Sequence, residues 1–349
     1  MSTNLHSTYE WHDLFDKSFG VTASDCSEYL DWPGKTLGAA QAAVASVTGR
    51  NVEDTDWDKL NRFRGQVKFD TYKAELLQAN PDAAALEDAK IVFLMRSIGE
   101  ARAMPELPGG VIRVDALWLS FASFAAQSLF VLYPTPGQEG ADDMRLGIAL
   151  HFATRLLLYE EILRGVPLEK ERYQLIWDTW PLRWEDNGDA MIFTWTALGR
   201  FLVAHEMAHL LRHHPGSCTE DAAIRRGIVS QNWIDALRSA QPDIGVDDYL
   251  YEVEADLEAI RLCLNMLNSV GASGLLLSTF LAALYYMFLC LEELARRVGT
   301  VTAYPQRRYC IGRYLGVLTG SDDLSRHSEE QFHHRARLYF DIAEELRGP

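Results

Sequence analysis

The stretch FLVAHEMAHLLRHH, residues 201–214, constrains this chain more than any other. It sets His205, Glu206 and His209 among Phe201, Leu202, Val203, Met207, Ala208, Leu210 and Leu211. Positions four apart on a helix project from the same face, so the two histidines share one side while apolar residues cover nearly all the rest. A helix that apolar belongs inside a fold. Burying a carboxylate and two imidazoles without partners costs on the order of several kcal/mol, so the fold must supply a partner. A metal ion is the simplest one. The helix is expected over about Ala197–His214, ended by Pro215 and Gly216.

His205, Glu206 and His209 spell H-E-x-x-H. Two imidazoles at this spacing can ligate one zinc ion, and the glutamate beside the first can take a proton from zinc-activated water. A chance match in a chain with 10 histidines is uncommon rather than negligible, so the apolar setting carries the argument. Catalytic zinc takes three protein ligands and keeps an open position. The metzincin extension would need glycine and histidine where Arg212 and Pro215 stand, so the third ligand lies elsewhere. A zinc deaminase is disfavoured because no P-C-x-x-C occurs.

The best source of a third ligand is YEVEADLEA, residues 251–259, on a helix that Asp247 and Asp248 could cap. Glu252 and Asp256 are four apart, and Ala255 and Ala259 near the same face leave room for close approach. Glu252 would bind zinc. Asp256 would accept a hydrogen bond from the distal nitrogen of a ligand histidine and fix its tautomer. Glu254 is the rival ligand; with Glu258 and Arg261 it reads instead as an exposed charged face.

HEMAHLLRHH followed by EVEAD resembles the H-E-x-x-H … E-x-x-A-D pattern of gluzincin metallopeptidases. The HtpX-type branch also tends to carry a histidine after the motif, matched here by His214. Small cytosolic relatives, the Lit-type phage-exclusion and ImmA-like peptidases, are similar in size and composition. The resemblance spans about residues 190–265. It implies a single Zn2+ held by His205, His209 and Glu252, with Glu206 as general base and Asp256 behind the ligands. The long membrane helices of the HtpX type have no counterpart here.

Further candidates are weaker. His213 and His214 suit the negative end of a helix dipole, and His214 is also a candidate substrate contact. Residues 326–340 gather His327, His333, His334, Arg335 and Arg337 and read first as a charged surface helix. Within it, His333, His334 and Arg335 are candidates to stabilise an oxyanion, as are Tyr249 and Tyr251 beside the third ligand.

Charge and cysteines narrow the partners and the compartment. The net charge is −16 and no basic cluster is longer than a pair of arginines, so nucleic acid and anionic membrane surfaces are not expected partners. The 5 cysteines are odd in number and widely spaced, which suits reduced thiols in the cytoplasm. The N-terminal residues lack a signal-peptide pattern. Residues 275–291 carry no charge, yet as a helix they would span only about 26 Å against a hydrocarbon core of about 30 Å, and Glu292 and Glu293 follow directly. A buried core helix is the expectation there.

Along the chain, three segments of the first hundred residues read as helices: KTLGAAQAAVASVTG, WDKLNRFRGQVKFDTYKAELLQA and DAAALEDAKIVFLMRSIGEARA. MPELPGG, residues 104–110, is the best boundary, dividing a helical region 1–105 from a catalytic domain 106–349. VIRVD, YQLIWDTWPLRW and AMIFTW read as strands. The expected fold is mainly α, of the α+β kind: a zincin-like core with a small sheet, behind a helical N-terminal region. The expected function is hydrolysis of peptide bonds in a protein or peptide substrate. The acidic N-terminal region suits recruitment of substrate or control by an activating partner. The rival is a non-catalytic regulatory or binding protein that zinc stabilises, its site closed by a fourth ligand such as His214.

Overall fold

A computed structural model of the chain describes residues 57–94, 101–105, 109–131, 141–166, 188–211, 246–300, 302, 304–319 and 322–347. The described chain is mainly helical with one small sheet. Helix α1 (Trp57–Ala79) is followed by a 3-10 turn (Pro81–Leu86) and strands β1 (Lys90–Leu94), β2 (Ala101–Met104) and β3 (Val111–Asp115). Then come α2 (Ala116–Phe130), α3 (Ala141–Leu163), α4 (Gly188–Leu211), α5 (Val246–Ser269), α6 (Gly274–Val298), α7 (Tyr304–Thr319) and α8 (Asp322–Arg347).

The sheet order is β1-β3-β2, with β3 central, parallel to β1 and antiparallel to β2. Ile112 and Val114 of β3 point inward and are fully buried. Asp115 ends the strand and starts the next helix, its side chain accepting the Leu117 amide at 2.8 Å. Gly110, at φ 77°, closes the approach to β3 in a conformation that disfavours a side chain.

One hydrophobic core joins these elements. Phe69, Tyr72 and Leu76 of α1, Ile91 and Phe93 of β1, Phe124 of α2, Leu198, Phe201 and Met207 of α4, and Tyr286 and Phe288 of α6 belong to it. Glycine sets the spacing at two crossings: a Cβ at Gly65 would lie 2.1 Å from the Phe93 ring, and one at Gly199 would lie 2.7 Å from the Tyr72 ring. Arg200 of α4 pairs with Glu75 of α1 at 2.7 Å. Asn80 donates to the Leu76 and Leu262 carbonyls and accepts from Asn265, tying the end of α1 to α5.

Several expectations change here. AMIFTW is not a strand; it lies in α4, which begins nine residues earlier than expected. A short aromatic and branched run suits a buried helix as well as a strand, and periodicity cannot decide between them. DAAALEDAKIVFLMRSIGEARA is not one helix; it contains the 3-10 turn, β1 and β2. The division at 105/106 falls between two paired strands, Met104 standing opposite Val111. Among the described residues the two sides share one sheet and one core, so no boundary separates them there. Residues 1–56 and YQLIWDTWPLRW lie outside the described residues.

Helix α6 is long and apolar enough to cross a membrane by length and composition. Its middle, from Phe280 to Leu291, is nearly all buried in the core, while Leu275 at its start is exposed. Ser273 caps its N-terminus, and Gly299, at φ 74°, ends it with its amide on the Ala295 and Arg296 carbonyls. Cys263, Cys290 and Cys310 are free thiols.

Candidate metal centre

The centre forms where α4 lies along α5, with α7 closing behind. The small residues at the crossing, Ala204, Ala208, Ala255 and Ala259, are all fully buried. This lets the helices approach closely enough for short polar side chains to meet between them. His205 is 7 % exposed and Glu206 4 %, so the motif lies inside the fold.

His205 Nε2 and His209 Nε2 lie 3.2 Å apart. Glu252 spans the pair, with Oε2 3.3 Å from His205 Nε2 and Oε1 3.6 Å from His209 Nε2. Two ligands held at about 2.0–2.1 Å from a tetrahedral ion stand about 3.3 Å from each other. The histidine pair and the nearest Glu252 oxygen to each histidine, one oxygen per ring, stand near that length, and the donor set, two imidazoles and a carboxylate, suits zinc. The Glu252 side chain is 35 % exposed.

Asp256 stands behind the first histidine, Oδ1 2.9 Å from His205 Nδ1. Arg307 Nη2 is also near Nδ1, at 3.4 Å. Nδ1 cannot both donate to the carboxylate and accept from the guanidinium. The shorter contact to a charged acceptor decides it: Nδ1–H donates to Asp256, which leaves Nε2 on the side of Glu252 and His209.

Arg307 was not legible as a site residue in the sequence. It comes from α7, 102 positions after His205. Its Nε and Nη2 grip both oxygens of Asp256 at 2.6 and 2.7 Å, and its Nη1 lies 2.9 Å from Glu252 Oε2. The guanidinium sits over the Phe288 ring, 4.6 Å from its centroid, with Tyr304 beside it. A general signal did exist: two inward carboxylates require a cation. Which arginine answers it depends on the packing of α7. The neighbouring Arg308 turns the other way, to Glu292 and the Tyr285 hydroxyl.

Burial and neighbouring charges perturb His205, Glu206, Glu252 and Asp256. Burial works against the Glu252 and Asp256 carboxylates, but Arg307 and His205 hold both well below the usual carboxylate range. Burial and Arg307 lower the His205 pKa, and the hydrogen bonds it donates to Asp256 and Glu252 outweigh them, raising it to about 9. Glu206 is pushed up to about 7, mainly by burial, although the Ala103 backbone hydrogen-bonds it.

Glu254 is not on an exposed face; it is 3 % exposed. Glu258 is half-buried and pairs with Arg261, which reaches Asp82 at 2.7 Å. The helical angle that turns Glu252 toward α4 also turns Glu254 into protein rather than solvent. The structure does not bring the late basic residues to the cluster. Arg335 donates to the Ser128 and Leu129 carbonyls at the end of α2, and His334 is exposed. His333 is half-buried on the same helix. Tyr251 is half-buried beside Glu252. His214 and the Tyr249 side chain lie outside the described residues.

Comparison of the chain with protein families, with characterised proteins and with solved structures finds no match.

Proposed function

We propose that the chain is a zinc-dependent metallopeptidase with a zincin-like core, one Zn2+ per chain, acting on a protein or peptide substrate. The observation that carries this reading is the set of donor separations, 3.2, 3.3 and 3.6 Å, on two adjoining helices, with Glu206 next in the chain to His205. Zinc there supplies Lewis acidity to water and to a carbonyl. With the ion bound, His205 and His209 would present unprotonated nitrogens, Asp256 would hold the His205 ring in the required tautomer, and Glu252 would complete the set from α5. Glu206 accepts a proton from the attacking water and returns it to the leaving nitrogen. Burial favours its protonated form, which suits it to hold the proton it takes from water until the leaving nitrogen accepts it.

A peptide-like substrate is supported by the sheet. The Ala103 backbone reaches Glu206, so strand β2 lies against the general base. Among the described strands, β2 pairs only with β3, so its other edge has no strand partner among them. An extended chain can add to such an edge through main-chain hydrogen bonds.

The thiols, the acidic charge and the buried middle of α6 support a cytoplasmic setting without a nucleic-acid partner. The test is the Glu206→Gln chain used as a trap in a cell lysate, with zinc measured in both proteins. A substrate held by the variant and cleaved by the wild type supports the enzyme. Equal binding without cleavage by the wild type favours the non-catalytic binding protein.

A further inference from the structure

We infer that Arg307 is a built-in counter-ion that keeps the ligand set assembled when no metal is bound, at the expense of metal affinity. The inference rests on the zinc reading above and concerns how the site tolerates losing its ion.

Asp256 is 1 % exposed, and its Oδ1 faces His205. Glu252 lies with both oxygens toward the two histidines. Without a cation, two carboxylates packed this closely would repel each other and lack solvation. A divalent ion supplies the missing charge when present. Arg307 supplies it at all times, because a guanidinium does not lose its proton in proteins. Its geometry is specific to this task. Two donors fork onto Asp256, a third reaches Glu252, and the same group lies 3.4 Å from His205. It thus touches the third ligand, the carboxylate behind the ligands and the first histidine. The aromatic face of Phe288 fixes the guanidinium from one side. Arg307 is therefore a positioning residue that does not touch the reacting atoms.

The consequence is a linkage. Any group that stabilises the folded chain more without metal than with it weakens metal binding by the same free energy. Arg307 stands beside the ion's position with the same sign of charge, so it repels what it replaces. Removing it increases the carboxylates' need for a cation, a need that zinc meets when bound.

The test uses the full chain as wild type, Arg307→Met, Arg307→Lys and Arg308→Met. Urea unfolding is followed for each in excess chelator and in saturating zinc, with zinc affinity measured by competition against a chromophoric chelator. In Arg307→Met the zinc-dependent gain in unfolding midpoint should exceed that of the wild type, matching zinc binding to the folded chain about tenfold tighter. Arg307→Lys should fall between, having the charge without the fork. Arg308→Met, which loses a comparable ion pair away from the ligands, should lower both curves equally. Equal losses with and without zinc in Arg307→Met, or weaker zinc binding, would overturn the inference. If Arg307→Met does not fold even with zinc, Arg307→Lys decides: a gain equal to that of the wild type overturns the inference, and a larger one supports it. A wild-type chain that binds no zinc overturns the metal reading itself, an outcome read from the wild type alone.

Discussion

Asp256 Oδ1 lies 2.9 Å from His205 Nδ1, on the side of the ring opposite Nε2, which stands 3.2 Å from His209 Nε2. In the proposed zinc site, this one carboxylate would determine which nitrogen of the first histidine faces the metal. Asp256→Asn keeps the shape but loses the charge that holds the tautomer and pairs with Arg307. Zinc affinity should fall by about 10–100-fold, the usual effect of removing such a partner. The measurement is competition with a chelator on protein whose circular dichroism is unchanged; an affinity within twofold of wild type would count against the role.

Zinc content tests the ligand set directly. Wild type should hold about one ion per chain, and His205→Ala or Glu252→Ala should lose it. Glu254→Ala should retain it while losing stability, since a buried group is removed. Elemental analysis showing zinc kept in Glu252→Ala and lost in Glu254→Ala would reverse the choice of third ligand.

Glu206 separates chemistry from binding. Glu206→Gln should fold, keep its zinc and lose about 10²–10⁴-fold in peptide hydrolysis, the typical contribution of a general base. The comparison belongs in cells as well as in the tube, because activity can depend on a partner. A variant with wild-type effect in cells and intact fold would favour a non-catalytic protein.

His151 should make stability sensitive to mild acid. Burial, with help from the positive charge of Arg155, lowers it from 6.5 to about 3. The unfolded chain therefore takes up this proton below about pH 6.5 and the folded chain does not. Stability is intact above that pH and falls as pH drops toward 3, by up to about 1.4 kcal/mol per unit. Urea denaturation of the zinc-free protein between pH 7 and 5 should show a shallower decline for His151→Gln than for wild type. Parallel curves would mean that His151 takes no part.

The sequence by itself determined the elements whose signals are local. α1 begins and ends where its segment suggested, at Trp57 and Ala79. β3 and the long helix α5 follow from a strand-forming run and from helical periodicity, although α5 starts at Val246, so Asp247 and Asp248 lie inside it rather than capping it. The i, i+4 spacing of His205 with His209 and of Glu252 with Asp256 already placed each pair on one face, because helix geometry alone fixes that.

The tertiary structure decided what depends on neighbours distant in the chain. AMIFTW became helix and IVFL became strand because short apolar runs satisfy either period, and the available partners choose. Glu254 became buried because a helix packed on several sides has no wholly exposed face. Arg307 rather than Arg308 met the buried carboxylates because the rotation of α7 about its axis aims one guanidinium inward and the next toward Glu292. Charge compensation is a long-range requirement; a sequence shows that it is needed, and only packing shows which residue fulfils it.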